Sequence, residues 1–409
     1  MKNKLIVQKY GGTSIANTKK IKNVAGRIIE YTRRGNKVVA VVSAMGDTTD
    51  ELVSLAKNIN PEASEREMDM LLSTGEQISS SLLAMAIHKQ GIESISFTGA
   101  QVGIITDTDH TQARILKIET DRIKKELTKG KIVIVAGFQG LSTALEITTL
   151  GRGGSDLSAV ALAVALKADL CEIYTDVEGI FTADPRIISK ARKLKYMGFD
   201  EMLELSSRGA QVMHTRAVEV AKKFNIPLHV RGSFTKKEGT IIMKDTPSLE
   251  EPVVRGITLD ENEAKITLCN VLDKPGIAAR VFNELASQDV NVDMIVQNVG
   301  RRKTTDISFT VPKKKLTKVL KLSRDLAKRL GSGDVIFDDK IAKVSIIGVG
   351  MKSHSGVAAK CFSILAKNKI NIDMISTSEI SISCVVKKEV GKKALKTLHK
   401  EFKLDKIKM

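Results

Sequence analysis

The sequence has no tryptophan, and aromatic residues make up only 4% of its 409 residues. Proteins that hold single-stranded nucleic acid commonly stack the bases on aromatic side chains set among basic ones. The formal net charge is +18, but no such interleaving accompanies it, so we expect no nucleic-acid partner. The densest basic stretch, residues 313–329, carries apolar residues at helical spacing and predicts an amphipathic surface helix.

Long hydrophobic runs are also missing. The longest, residues 38–42 and 132–136, fall far short of the roughly 20 residues that a membrane helix needs, so we expect no membrane association. The N-terminal apolar run lacks a small-residue cleavage site, which argues against a signal peptide and predicts a cytoplasmic protein. The cysteines stand singly, without CxxC spacing, which is typical of reduced, buried thiols. They are Cys171, Cys269, Cys361 and Cys384.

Residues 5 to about 243 alternate short β-branched runs with helical stretches. This alternation predicts an α/β fold, an open and mainly parallel sheet with helices on both faces, whose ligands lie beyond the carboxyl ends of the strands. The candidate strands are 5–10, 37–44, 94–98, 131–138, 171–175, 227–230 and 240–243. The clearest candidate helices are 19–31 and 65–89.

The C-terminal third contains an internal repeat. The run from Gly276 to Ile295 recurs from Gly356 to Ile375, and each copy has the strand, helix and strand order of a ferredoxin-like α+β unit. Two copies suggest duplicated sensing or pairing surfaces, with a purely structural duplication as the alternative. We expect a first domain at 1–245, a linker at 246–262 and two small units at 263–340 and 341–409, with a terminal strand, the last one, exchanged into the first unit.

A Lys-x-Gly-Gly motif follows the first candidate strand. Gly11 and Gly12 permit backbone amides to approach an anion, the next helix adds its dipole, and Lys9 adds a positive charge for phosphates. The spacing is not that of a P-loop, since the lysine precedes the glycines. A simple tight turn between strand and helix remains the alternative.

A second glycine-rich motif, residues 148–156, opens a helix of small residues. Arg152 stands among glycines, where its guanidinium is free to form a two-pronged contact with a substrate carboxylate. Asp156 falls in the first helical turn, where it either serves the site or matches the helix dipole.

Three further segments follow strands or occupy the long helix. Residues 174–186 turn twice after a strand and can present backbone groups to a purine and an arginine to phosphate. Residues 43–50 bring hydroxyls to the end of the second strand. Glu76 follows Gly75, a weak helical residue that indicates either close approach of a ligand or close packing.

Together the motifs KYGGTS, SAMGDTTD, STGEQ, AGFQG, TTLGRGGSD and YTDVEGIFTADPR, with the duplicated DKPGIAA and HSGVAA units, resemble the aspartate kinases. The resemblance runs nearly end to end. It implies an amino-acid kinase fold followed by tandem ACT domains, and transfer of the ATP γ-phosphate to the side chain of L-aspartate. The product would be 4-phospho-L-aspartate, on the way to lysine, threonine and methionine.

The resemblance also implies site residues. The catalytic pair would be Lys9 and Asp156. Magnesium would be held mainly by the phosphates of ATP, with no metal site made of protein residues. Substrate would be bound by Thr48, Glu76, Arg152, Gly153, Gly154 and Ser155. ATP would be bound by Lys9, Tyr10, Gly11, Gly12, Ser43, Thr175, Asp176, Phe181, Asp184, Arg186 and Gln211.

In the tail, the resemblance implies feedback by lysine, threonine or both, bound between ACT units of different subunits in a homodimer or larger assembly. The implied effector residues of the first unit are Asp273, Gly276, Ile277, Ala278, Asn291, Asp293 and Gln297. Those of the second are Ser353, His354, Ser355, Gly356, Val357, Asn371, Ile372 and Asp373.

One position departs from the family pattern. Many relatives carry a lysine in a Gly-Ala-Lys segment, where this chain has Gln211. Arg208 or Arg216 would then replace the missing charge, or turnover would be modest. The alternatives left open are another amino-acid kinase, such as an acetylglutamate or glutamate 5-kinase, and an amino-acid sensor with an inactive kinase domain.

Overall fold

The computed structural model describes residues 4–210, 212–247, 252–298, 303–352 and 354–406. Two predicted site residues, Gln211 and Ser353, lie outside this part of the chain. Among the helices described, none combines the length and apolarity that crossing a membrane requires.

The first part of the chain alternates strands and helices. The strands are β1 (Leu5–Tyr10), β2 (Lys37–Val42), β3 (Ser94–Phe97), β4 (Ile104–Thr106), β5 (Ile115–Ile118), β6 (Ile132–Ala136), β7 (Gln139–Ser142), β8 (Ile147–Thr149), β9 (Leu170–Thr175), β10 (Tyr196–Gly198), β11 (Leu228–Gly232) and β12 (Thr240–Met243). The helices are α1 (Thr18–Arg33), α2 (Thr48–Ile59), α3 (Glu65–Leu72), α4 (Thr74–His88), α5 (Asp121–Thr128), α6 (Gly154–Leu166), α7 (Phe199–Ser207) and α8 (Thr215–Phe224).

Eight of these strands form one sheet in the order β10-β12-β11-β9-β1-β2-β6-β3. All its described pairings are parallel except that of β11 with β12. The open, mainly parallel sheet that the sequence predicted is therefore confirmed. Because β1 lies between β2 and β9, the loops after these three strands meet at one edge, where a ligand site is expected. A second sheet, β5-β4-β7-β8, lies apart from it.

Side chains alternate between the two faces of the large sheet, as the strand period of two requires. On β2, Val39 and Val41 belong to the apolar core that includes α6 and α8. Val38 and Ala40 belong to the core that includes α1 and α4. The same alternation on β1 sends Lys9 and Tyr10 to opposite faces.

The predicted helix 65–89 is two helices. Its first part ends at Leu72, and α4 starts at Thr74. The hydroxyl of Ser73 donates to the carbonyl of Met70 at 2.8 Å, and the Ser73 carbonyl accepts Nε2 of Gln139 at 2.7 Å. These local bonds compete with the helical ladder and allow the break.

The C-terminal part is built from two four-stranded sheets. Its strands are β13 (Gly256–Asp260), β14 (Glu263–Leu272), β15 (Ile295–Gln297), β16 (Thr304–Pro312), β17 (Val335–Asp338), β18 (Ile341–Ile347), β19 (Met374–Thr377) and β20 (Ser381–Lys387). Its helices are α9 (Ile277–Ala286), α10 (Leu316–Leu330), α11 (Val357–Lys367) and α12 (Lys388–Glu401). The basic stretch 313–329 forms most of α10, with Val319, Leu320 and Leu326 buried.

The first unit supplies its own sheet, in the order β15-β16-β14-β17. The second does not, because its order is β13-β18-β20-β19, and β13 precedes the first unit in the chain. The segment 246–262, expected to be a linker, thus contains the edge strand of the second unit. We expected the last strand to complete the first unit; instead, a strand from the N-terminal side completes the second.

Candidate active site and effector segments

Lys9 and Asp156 form an ion pair at the carboxyl end of β1. Lys9 Nζ lies 2.6 Å from Asp156 Oδ1, and both side chains are largely buried. The other carboxylate oxygen accepts the backbone amide of His214 at 3.3 Å. Asp156 therefore holds the ammonium group of Lys9 beside the start of α6. The glycine-rich motif at residues 148–156 thus positions the lysine of the Lys-x-Gly-Gly motif.

The glycines bring backbone close to this pair. A Cβ at Gly12 would lie 2.8 Å from the carbonyl oxygen of Ala44, and one at Gly11 would lie 3.3 Å from Lys9 Nζ. Gly153 has φ +71°, and a Cβ there would lie 2.5 Å from the ring of His214. Side chains are excluded at these points because the backbone packs closely against neighbouring segments, so the loop after β1 and the first turn of α6 can come together beside Lys9.

Glu76 is a buried carboxylate beside the end of β2. Its Oε1 accepts the amide of Ala44 at 3.0 Å, while Oε2 is buried with no hydrogen-bond partner among the described residues. Burial raises the pKa of Glu76 to about 8. A Cβ at Gly75 would lie 2.8 Å from that of Ala44, so the glycine lets α4 approach β2 and carries Glu76 into the site.

Arg152 is exposed and has no hydrogen-bond or ion-pair partner in the part of the chain that the structure describes. It lines a pocket of about 490 Å³ that also contains Lys9, Gly11, Gly12 and Glu76. Ser43, Gly153, Gly154, Ser155 and Asp156 line the same pocket. The structure thus brings most of the predicted phosphate and substrate residues together. Thr48 lies just behind the wall, at the start of α2 with its methyl group near Gly75.

A third carboxylate, Asp69, was missed by the sequence analysis. It is fully buried and accepts Thr149 Oγ1 at 2.5 Å and the amide of Thr111 at 3.0 Å. Nδ1 of His110 lies 2.7 Å from it. Asp69 thereby holds the end of β8, just before Gly151 and Arg152, against α3. The sequence carried no clear signal for this role, because Asp69 lies on α3 while Glu76 lies on α4, after the break at Ser73.

Tyr10 does not line the pocket. Its ring is buried on the opposite face of the sheet and stacks on Tyr174 with centroids 4.8 Å apart. Glu172 lies beside them on β9. Burial opposes its ionisation, but hydrogen bonds from His229 and Gln8, with the charge of Arg231, bring the pKa of Glu172 down to about 2. This polar network supports the central strands from beneath the site.

The remaining predicted nucleotide residues that the structure describes lie outside the 490 Å³ pocket. Thr175 ends β9, next to the loop after β1, and its hydroxyl donates to Asp176 at 3.0 Å. Further along, Asp184 and Arg186 pair through contacts of 2.8 to 3.1 Å. Phe181 pairs with Lys193 in an antiparallel bridge.

Neither arginine considered as a substitute for the missing lysine is free. Arg208 pairs with Glu204 at 3.2 Å and with Asp293 at 3.0 Å. Arg216 donates to the carbonyls of Leu150 at 2.8 Å and Ala113 at 2.9 Å. Both guanidinium groups are engaged in holding other segments.

The effector segments of one unit fall at opposite ends of its helix. Gly276, with φ +89°, precedes α9, whereas Asp293 lies in the loop after it, and the ten residues of α9 between them make a helix about 15 Å long. Gly356, with φ +90°, starts α11 in the same way. The loops after the helices meet instead, because Met294 and its repeat equivalent Met374 belong to one small apolar cluster.

The other predicted effector residues follow this division. Those near the helix starts are Asp273, Ile277, Ala278, His354, Ser355 and Val357. Those in the loops after the helices are Asn291, Asn371, Ile372 and Asp373, whereas Gln297 ends β15, opposite Ile307 on β16.

Comparison with known proteins agrees with this architecture. The family model of the amino acid kinase family matches residues 4–232, and that of the ACT domain matches residues 269–323 and 344–402. An aspartate kinase of Stutzerimonas stutzeri is 48% identical over 402 residues, which cover 98% of each chain. This chain belongs to the aspartate kinase family.

Solved aspartate kinases share the fold. The structure of E. coli aspartokinase III in complex with aspartate and ADP, in the R-state, is 25% identical and has a TM-score of 0.83 over 97% of this chain and 99% of its own. The same enzyme in complex with lysine and aspartate, in the T-state, is 25% identical over the same shares of the two chains, with a TM-score of 0.76. The predicted resemblance and the α/β kinase fold followed by ACT units are both confirmed.

Proposed function

We propose that this aspartate kinase transfers the γ-phosphate of ATP to the side-chain carboxylate of L-aspartate, giving 4-phospho-L-aspartate and ADP. The observation that carries the proposal is a single pocket. It joins the Lys9–Asp156 pair with a group that can bind a carboxylate, the guanidinium of Arg152, which has no partner among the described residues, and a group that can bind an ammonium, the buried carboxylate of Glu76. A zwitterionic amino acid beside a phosphate site satisfies all of them.

On the acceptor side, Arg152 binds the α-carboxylate of aspartate through two parallel N–H donors. Oε2 of Glu76, which has no partner among the described residues, receives the substrate ammonium. Gly153, Gly154 and Ser155 at the start of α6 line the space between them, and Thr48 supports Gly75 from behind.

On the donor side, Lys9 and the amides near Gly11 and Gly12 bind the phosphates, with Ser43 at the rim. Asp156 keeps the ammonium group of Lys9 in place. The nucleotide extends past Thr175 and Asp176 toward Phe181, Asp184 and Arg186. The proposed nucleotide-binding role of Gln211 falls outside the described residues, and Tyr10 would act through its backbone alone, since its ring is buried.

The described residues include no group of three or more histidine, cysteine, aspartate or glutamate side chains that could hold a metal. Mg²⁺ would bind through the phosphates of ATP, as its reluctance to lose water favours. When bound, the ion neutralises phosphate charge.

The chemistry needs no protein nucleophile. The side-chain carboxylate of aspartate is ionised near neutral pH, and it attacks the γ-phosphorus in line. The protein's contribution is positioning and electrostatic stabilisation of the transferring group. The positive charge of Lys9 stabilises the negative charge on the oxygens of the transferring phosphoryl group. The ion pair with Asp156 keeps the ammonium group of Lys9 in position.

The tail is proposed to give feedback control by lysine or threonine. Support comes from the ACT units, from the lysine complex of E. coli aspartokinase III, and from the separation of the two effector segments within each unit. A complete effector site then needs a second copy of the chain, which favours a homodimer or larger assembly. The reaction places the enzyme at the start of lysine, threonine and methionine synthesis.

The test is to trap acyl phosphate as its hydroxamate with ATP, Mg²⁺ and L-aspartate, then repeat the assay with lysine, threonine and both. Arg152→Ala and Lys9→Ala should each lower turnover by orders of magnitude. Arg114→Ala, an arginine outside the pocket, is the matched control. No product from the wild type under any condition would favour the amino-acid sensor instead.

A further inference from the structure

Residues 180–194 form a hairpin between the catalytic domain and the second ACT unit. The amide of Leu194 donates to the carbonyl of Ile180 at 2.8 Å, and that of Thr182 donates to the carbonyl of Arg192 at 2.9 Å. Near its tip lies the Asp184–Arg186 pair that we place beside the nucleotide. The position of this hairpin therefore decides where those two side chains point.

The hairpin is packed into the core of the second ACT unit rather than against the catalytic domain alone. Ala183 and Ile188 are buried in the apolar cluster that contains Ile257 of β13 and Leu395 and Leu398 of α12. The amide of Ile257 donates to the Thr182 carbonyl at 2.8 Å. One side of a proposed nucleotide segment thus rests on the regulatory tail.

Within this contact, Thr182 and His399 are paired. The Thr182 hydroxyl lies 2.9 Å from Nε2 of His399 on α12, and both residues are almost completely buried. The same hydroxyl oxygen accepts the amide of Arg192 at 3.0 Å, which leaves its own proton to be donated. Burial lowers the pKa of His399, so the imidazole is neutral near pH 7 and its Nε2 can accept that proton.

The pair fixes a particular point of the hairpin. Thr182 lies directly after Phe181 and two residues before Asp184, and its amide, carbonyl and hydroxyl are all hydrogen-bonded. A buried hydroxyl that loses its acceptor must find another or leave the interior. Loss of the His399 imidazole should therefore shift Thr182 and, with it, the neighbouring Phe181 and Asp184.

We propose that His399 is a positioning residue for the nucleotide: through Thr182 it holds hairpin 180–194, so that the last helix of the tail completes the ATP side of the active site. The inference rests on the proposed function, and it adds to the nucleotide site a positioning residue from the second ACT unit. It also means that the catalytic domain does not hold its nucleotide segment by itself.

The test compares His399→Ala, His399→Gln and Thr182→Val in the full-length enzyme. We expect the alanine and valine variants to raise KM for ATP about tenfold, as loss of one buried hydrogen bond would. KM for aspartate and kcat should stay within about twofold of wild type. Glutamine, whose amide oxygen can reach the place of Nε2, should restore most of the affinity.

A double variant separates this role from general destabilisation. Thr182→Val combined with His399→Ala should raise KM for ATP no further than either change alone, because both remove the same interaction. Ser345→Ala is the matched control, since the buried hydroxyls of Ser345 and Ser383 pair at 2.7 Å in the same ACT unit, on the face of the sheet opposite α12. It should lower the unfolding temperature and leave KM for ATP unchanged.

Two results would overturn the proposal: variants at His399 that lose stability as Ser345→Ala does without any change in KM for ATP, or additive effects in the double variant. Titration with ADP and Mg²⁺ keeps the inference separate from the proposed function. If the wild type makes no acyl phosphate, unchanged ADP affinity in His399→Ala still refutes the role, and weakened affinity still supports it.

Discussion

Nη1 of Arg208 donates to Oδ1 of Asp293 at 3.0 Å, across the boundary between the catalytic domain and the first ACT unit. Arg208 caps the end of α7, and Asp293 lies in the segment proposed to recognise the effector. The other oxygen of Asp293 contacts Nζ of the buried Lys343 in the second unit. One carboxylate thus connects three parts of the molecule.

Arg208→Gln removes this connection and should weaken feedback. Because the pair links the effector segment to α7, its loss lowers the coupling free energy between effector and active site. We expect the inhibitor concentration for half inhibition to rise several-fold, about what 1 kcal/mol gives. The measurement is an inhibition curve with lysine and threonine, with uninhibited kcat as the reference. Arg329→Gln, which breaks a surface pair with Glu284 inside one unit, should leave the curve in place; an equal shift in both variants would refute the link.

Lys343→Met should be strongly destabilising. The ammonium group is completely buried and lies 2.8 Å from Glu263 as well as against Asp293. Without it, two neighbouring carboxylates lose their shared partner, at a cost of about 3 kcal/mol. Lys387→Met removes a more exposed pair with Asp338 and should cost less than about 1 kcal/mol. Denaturant unfolding gives the free energy of unfolding of both variants. Similar losses in the two variants would contradict the buried ion-pair role of Lys343.

The binding of aspartate should depend on the protonation of Glu76. Its pKa of about 8 means that the carboxyl is mostly protonated near neutral pH without ligand, whereas a bound ammonium requires the ionised form. We expect KM for aspartate to fall as pH rises from about 6.5 to about 8 and then to level off. Glu76→Gln should raise KM and remove the trend. A wild-type KM that is constant over this range would contradict the role.

The same shift affects stability in the opposite direction. The folded protein keeps a proton on Glu76 that the unfolded chain releases near pH 4.5. The contribution of this group to the free energy of unfolding therefore decreases as pH rises from about 4.5 to about 8. Between pH about 4.5 and about 8, the free energy of unfolding of Glu76→Gln should decrease less than that of the wild type.

Gly75→Ala should impair the site although it adds one methyl group. The new Cβ would lie 2.8 Å from that of Ala44, so α4 must shift from β2 and Glu76 must move with it. We expect KM for aspartate to rise about tenfold. Gly26→Ala, within α1 and with nothing within 4 Å of its new Cβ, should instead stabilise the protein by about 0.5 to 1 kcal/mol. Equal kinetic effects of the two changes would refute the packing argument.

The sequence predicted what local pattern and short-range chemistry control. The seven candidate strands correspond to β1, β2, β3, β6, β9, β11 and β12, and two of them, β1 and β12, agree to the residue. Lys9, Gly11, Gly12, Arg152 and Asp156 meet because loops after neighbouring parallel strands share an edge of the sheet. The order of strands and helices along the chain is therefore enough to predict that these residues lie together.

What the sequence did not predict depends on distant partners. Asp69 looks like an ordinary polar residue of a helix until Thr149 and Thr111 are placed against it. Tyr10 stands inside the phosphate motif, yet the strand alternation turns its ring away. The pairing of Thr182 with His399 joins residues more than half the chain apart, for which no spacing rule exists.

The exchanged strand has a consequence for the order of assembly. Because β13 is synthesised before the whole first ACT unit and its neighbour β18 after it, β13 emerges from the ribosome as an unpaired edge and remains one until the C-terminal unit arrives. Such a pairing is slow to form and exposes the intermediate to wrong partners. A second nascent copy of this chain can supply the same pairing strand, β18. Pairing of β13 with β18 of its own chain gives the monomer fold, whereas pairing with β18 of the second copy gives an intertwined dimer.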